Sequence, residues 1–196
     1  MATTTETDVE TFTVVAQHLT PEAFAPFGVA IVAEAHQRLP IELYGGTVDS
    51  YSIPVEADEP FEFLLNTMRY RPLRATHLER HMGMQQAFIP LGGQPFVACV
   101  AAPDAEIVDG VPAFESIHAF VVPGNAAAMM HRGTWHEPPF PLMAEQSIIV
   151  TSHQSLTKGL QEKSGIEGKK EIGTLDVDKR NILERTGKIV KIQLPN

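Results

Sequence analysis

Short apolar runs broken by glycine and proline set the pattern of this chain. Residues 12–16, 29–32, 61–69, 87–91, 96–101, 117–122 and 147–152 each read as a strand, and 189–194 (Ile-Val-Lys-Ile-Gln-Leu) reads as a last one. In 115–122, Ile117, Ala119 and Val121 fall on one strand face, which suits burial on one side. Gly92-Gly93-Gln94-Pro95 marks a hairpin between two of these strands. Helical signals are few. Thr20-Pro21-Glu22 supplies a hydroxyl cap, a proline at the first helical position and an acid in the first turn, but Pro26 and Gly28 stop that helix at once. Residues 156–175 are polar and lysine-rich, with Gly165 and Gly168, and read as a surface loop ahead of a C-terminal extension at 176–196. The pattern predicts an all-β sandwich or barrel with one or two short helices.

A length of 196 residues suits one well-filled domain, 11–196, behind a Thr- and acid-rich tail at 1–10. The tail lacks the apolar core of a secretory signal, and no stretch reaches membrane-spanning length. A net charge of −9 disfavours nucleic acid and anionic membrane as partners, while leaving room for a small anionic substrate in a locally basic pocket. The one cysteine, Cys99, lies in an apolar run and reads as a small buried hydrophobe. With no disulfide possible, a reducing, cytoplasmic setting is expected.

The chemistry concentrates between His77 and Gly93. Glu79 and His81 share one face of an extended strand, and Gln86 follows a Met-Gly-Met break that lets the chain turn. Imidazole nitrogen mixed with carboxylate and carbonyl oxygen suits a divalent ion. His136, at the end of His131-Arg-Gly-Thr-Trp-His136, offers a fourth ligand, and His77 falls on the same strand face as an alternative. Glu-x-His-x4-Gln followed by a distant Gly-x-x-His has the form of a cupin metal site. Four such ligands leave positions open on manganese, nickel, iron or zinc.

Longer blocks resemble the ureidoglycolate lyase family. They are Glu79-Arg80-His81 with Gln86-Ala87-Phe88-Ile89-Pro90-Leu91, then Ala119-Phe120 with His131-Arg132-Gly133-Thr134-Trp135-His136 and Pro138, and the opening Leu19-Thr20-Pro21-Glu22-Ala23-Phe24. The resemblance implies a cupin-type double-stranded β-helix (a jelly-roll barrel), a homodimer, and metal-dependent cleavage of ureidoglycolate to glyoxylate and urea. The rival readings are a cupin lyase or hydrolase for a less polar carboxylate and a non-catalytic small-molecule binder. Within the leading reading His131 and Glu137 are candidate acid and base. Arg69 or Arg132 is the candidate carboxylate clamp, and Met129, Met130 and Trp135 are expected to line the pocket. Two places depart from the family pattern. Met129 and Met130 stand where Asn and Tyr are usual, and Ser152-His153 replaces an Asp-Arg pair.

Overall fold

A computed structural model describes residues 9–41, 46–163 and 170–196. In chain order these form β1 (Glu10–Val15), β2 (Gln17–His18), α1 (Pro21–Phe24), β3 (Gly28–Ile31), β4 (Phe61–Arg69), β5 (Arg74–Ala75), β6 (His77–His81), β7 (Gln86–Pro90), β8 (Phe96–Ala101), β9 (Ile107–Val108), β10 (Val111–Pro112), β11 (Ile117–Val122), β12 (Ala127–Met130), β13 (Trp135–His136), β14 (Phe140–Pro141), β15 (Glu145–His153), α2 (Gln154–Lys163), β16 (Ile172–Gly173), β17 (Val177–Asn181), α3 (Ile182–Thr186) and β18 (Lys188–Gln193).

Two sheets pack face to face. One has the order β3-β12-β7-β15-β4; the other runs β16-β17-β6-β13-β8-β11-β2, with β14 also on β8. Phe88, Ala128, Met130, Ile148 and Val150 of the first meet Phe96, Ala98, Val100, Phe120 and Val122 of the second, and α1 adds Phe24. A third sheet, β1-β18-β5, covers the outer face of the larger one. Val14, Ala75, Val190 and Ile192 there pack on Val97, Cys99, Ala101, Ile117, Ala119, Trp135 and Phe140. This is the β-sandwich of a cupin-type jelly roll, and β8 shows why the pattern reads as it does. Both of its faces are covered, so all six of its residues are buried and alternation gives way to a continuous apolar run. Cys99 is fully buried in that strand, and burial pushes its thiol well above the ordinary range.

Local signals hold where they have a mechanism. Thr20 Oγ1 accepts the Ala23 N–H at 3.1 Å and starts α1. Gly28 lets β3 press against β12, because a Cβ there would lie 2.0 Å from the Met129 carbonyl oxygen.

The C-terminal fifth corrects the sequence reading. The expected loop from residue 156 begins instead as α2; residues 164–169 of that stretch lie outside the described residues. His153 Nδ1 accepts the Leu156 N–H at 3.1 Å and caps the helix, while Leu156 is buried with Met84, Ile172 and Val177. Two leucines four residues apart, Leu156 and Leu160, and a non-standard cap are too little periodicity to announce a helix. The extension is no appendage either. β17 pairs antiparallel with β6, and β18 is the central strand of the third sheet, parallel to β1 and antiparallel to β5. The final strand therefore closes within its own chain. Among the described residues, no helix is long and apolar enough to cross a membrane.

Candidate metal centre

β6 alternates its residues between two environments. Leu78 enters the outer core, while Glu79 and His81 turn to the space between the packed sheets. β13 pairs with β6 so that His136 stands opposite Glu79. That pairing brings ligand atoms of Glu79, His81 and His136 within 4.8 Å of one another. The two imidazole rings lie with centroids 5.1 Å apart.

The hydrogen bonding of these rings defines what they can hold. His136 Nδ1–H donates to the Thr134 carbonyl at 2.9 Å, which leaves Nε2 with its lone pair. Among the described residues, that Nε2 and both ring nitrogens of His81, all buried, have no hydrogen-bond partner. Buried nitrogens are rarely left unpaired, and a cation is the partner this donor set fits. Burial, then the neighbouring His81, lowers His136 to about 4, so its ring is neutral at ordinary pH. Burial alone would raise Glu79. His81, whose Nε2 lies 3.8 Å from Glu79 Oε1, outweighs that with Lys179 and His136 adding to it, and Glu79 is held near 2.

Lys179 escapes a reading of the sequence. Its Nζ lies 3.3 Å from Glu79 Oε2, and β17 sets the two residues opposite each other. The signal is the alternation of Val177, Lys179 and Asn181 as the buried face of β17, and a lysine on that face hides it.

A cavity of about 200 Å³ opens beside the ligand group. Leu64, Met68, Phe88, Val150, Pro138 and Pro139 form its apolar wall; Glu79, His81, Gln86, Asn66 and Ser152 are its polar members. Gln86 is placed in the cavity lining. Asn66 was readable only as an inward position of β4, where Glu62, Leu64, Asn66 and Met68 are the more buried set.

The other residues singled out from the sequence do not line this cavity. His131 Nε2–H donates to the Ala25 carbonyl at 3.2 Å. Arg69 is exposed and pairs with Glu145 at 3.3 Å; Arg132 pairs with Asp58 at 2.7 Å and Glu56 at 3.7 Å. Met130 sits in the core between the sheets, and Met129 is buried on the opposite face of β12. Trp135 belongs to the outer core, with the Arg80 guanidinium 4.4 Å over its ring. Glu137 follows His136, yet its carboxylate turns to Arg71 Nη1 at 2.8 Å. Burial raises Glu137 to about 7 against the lowering effect of Arg71. Arg71 also donates from Nη2 to the Pro138 carbonyl at 2.5 Å and stacks 3.6 Å over Phe140. The pair therefore fixes the proline wall from behind.

Comparison with known proteins agrees with this geometry. The family model for ureidoglycolate lyase matches residues 11–168. A protein named ureidoglycolate lyase from Brucella anthropi is 34% identical over 76% of this chain and 88% of its own length. One from Agrobacterium fabrum is 32% identical over 74% and 86%. One from Burkholderia mallei is 35% identical over 74% and 85%. Lys179 lies beyond the stretch that the family model matches.

Proposed function

The chain belongs to the ureidoglycolate lyase family, and from that membership we propose that it cleaves ureidoglycolate to glyoxylate and urea with the help of a divalent cation. The observation that carries this reading is the buried group of Glu79, His81 and His136, with unpaired imidazole nitrogens, at the wall of a small cavity. Those three residues and Gln86 would hold the ion. When bound, it would supply Lewis acidity toward a coordinated hydroxyl.

The protein's own residues shape the rest. Glu79 is ionised, Lys179 offsets its charge, and the His136 ring is neutral, so an anionic 2-hydroxy acid meets little opposing charge. Leu64, Met68, Phe88 and Val150 keep water away and strengthen every polar contact made there. The reaction moves one proton. The hydroxyl loses it, a carbonyl forms as the carbon–nitrogen bond breaks, and the departing nitrogen takes a proton to become urea. The Arg71–Glu137 pair holds His136 and the proline wall in place for that chemistry.

The test is glyoxylate release from ureidoglycolate by the purified, metal-loaded protein. We expect a rate well above the spontaneous one. Release no faster than in buffer would overturn the reading and favour a binder or an enzyme for another carboxylate.

We also propose that the protein is a homodimer. β4 is an edge strand, and its outward Phe61, Phe63 and Leu65 are 46%, 64% and 67% exposed. An apolar face on a nine-residue strand left at the sheet edge among the described residues calls for a covering partner. Light scattering is expected to give twice the chain mass; a single-chain mass would dismiss the pairing.

A further inference from the structure

We propose that Ser152 reads the ureido end of the substrate by accepting one of its N–H groups, and that Glu62 and Thr157 hold it in that role. The proposal rests on the reading of the site given above. Its basis is a chain of hydroxyls whose direction is fixed from one end.

Ser152, on β15, is 1% exposed and lines the cavity. Glu62 is its neighbour across the β15–β4 pairing, and Thr157 lies one turn into α2. Thr157 Oγ1 is 2.6 Å from Glu62 Oε1. Thr157 is the donor of that bond and Glu62 Oε1 the acceptor, so the single hydroxyl hydrogen of Thr157 is committed to Glu62. Thr157 Oγ1 is also 3.1 Å from Ser152 Oγ. With its own hydrogen already used, Thr157 can only accept there, and Ser152 must donate. Among the described residues the competing acceptor, the His153 carbonyl, is at 3.5 Å, too far for a good bond. The chain thus runs Ser152 to Thr157 to Glu62, with the Ser152 hydrogen spent away from the cavity.

What Ser152 offers the cavity is therefore a lone pair and no hydrogen. A ligand group that donates fits; one that only accepts does not. The ureido end carries N–H donors, whereas a hydrocarbon tail in its place carries none and would leave this buried acceptor unpaired. Sites built to bond a polar group reject analogues that lack it more strongly than apolar pockets reject a size change. Ser152 is then the residue that reads specificity, and Thr157 and Glu62 are positioning residues.

The experiment uses the full-length, metal-loaded protein and four variants: Ser152→Ala, Thr157→Val, Thr157→Ser and Glu62→Gln. It measures kcat and KM for ureidoglycolate, inhibition by glycolate, and calorimetric binding of ureidoacetate, which keeps the carboxylate and ureido group but has no hydroxyl to react. Ser152→Ala and Thr157→Val are expected to raise KM and weaken ureidoacetate by about tenfold, the worth of one hydrogen bond. Glycolate inhibition should stay unchanged, because glycolate has no ureido group. Thr157→Ser should behave as wild type, since it keeps the hydroxyl. Glu62→Gln should match Thr157→Val, because a carboxamide can donate to Thr157 and reverse the chain. Wild-type KM and ureidoacetate affinity in both Ser152→Ala and Thr157→Val would overturn the proposal. So would equal weakening of glycolate, or no rescue by Thr157→Ser. A wild-type protein that binds ureidoacetate through Ser152 but releases no glyoxylate would refute the reaction and leave this inference standing.

Discussion

Replacing His136 with leucine is expected to leave the protein folded, strip it of bound cation and lower ureidoglycolate turnover by more than about 100-fold. Substitution of the groups that merely orient metal ligands costs roughly 10–100-fold in affinity or activity, so loss of a ligand nitrogen should cost more. His136 is the sharpest choice because its tautomer is set: Nδ1–H is held by Thr134, and Nε2 has no partner but what the site provides. Leucine occupies similar volume and offers no ligand atom beside Phe88 and His81, whose ring centroids lie 5.7 Å and 5.1 Å from that of His136, so the packing of the wall survives. His81→Ala should give the same loss. Metal analysis and glyoxylate release decide the matter, with the thermal midpoint as the control for folding. Full metal content and full turnover in either variant would remove these rings from the site. The wild type adds a pH signature. A protonated Nε2 cannot ligate, and His136 takes its proton only near pH 4, so metal retention should hold through neutral pH and fail as the pH falls toward about 4.

How much of this was legible in the chain depends on the range of each signal. β4, β8 and β11 coincide with the runs read from the pattern, because each strand carries its own alternation or its own doubly buried face. Glu79 and His81 were legible for the same local reason. His136 was reached through its motif. Its placement depends on β13, a two-residue strand too short to show a period, lodged between β6 and β8. Lys179 meets Glu79, and Arg71 meets Glu137, across long stretches of chain, and nothing near them in sequence announces a partner. The two methionines show the limit of a face assignment. Met130 does turn inward, but β12 lies on the far side of β7 from β15 and β4, and the cavity opens under those latter strands. Ser152 was noticed as a departure from the family pattern. Its polarity could not be read until Glu62 and Thr157 stood beside it.

Ending the chain at Lys163 is expected to yield insoluble or unfolded protein, although the stretch matched by the family model reaches only residue 168. The truncation removes Ile172, Val177, Ile182, Ile189, Val190 and Ile192, each 5% exposed or less. At roughly 1.5–3 kcal/mol for each buried aliphatic side chain, the loss is on the order of 10 kcal/mol even as an upper-bound account. That is comparable to the whole stability of a domain this size, about 5–15 kcal/mol. The loss is also concentrated. Without β18, strands β1 and β5 have no common partner, and the outer core around Val97, Cys99 and Trp135 opens to water. Without β17, β6 becomes an unpaired edge and Glu79 loses the ammonium that faces it. Soluble yield, circular dichroism and a thermal melt measure the outcome. A soluble truncated chain that melts cooperatively and still releases glyoxylate would show that the third sheet is dispensable and that the ligand strand stands without its C-terminal neighbour.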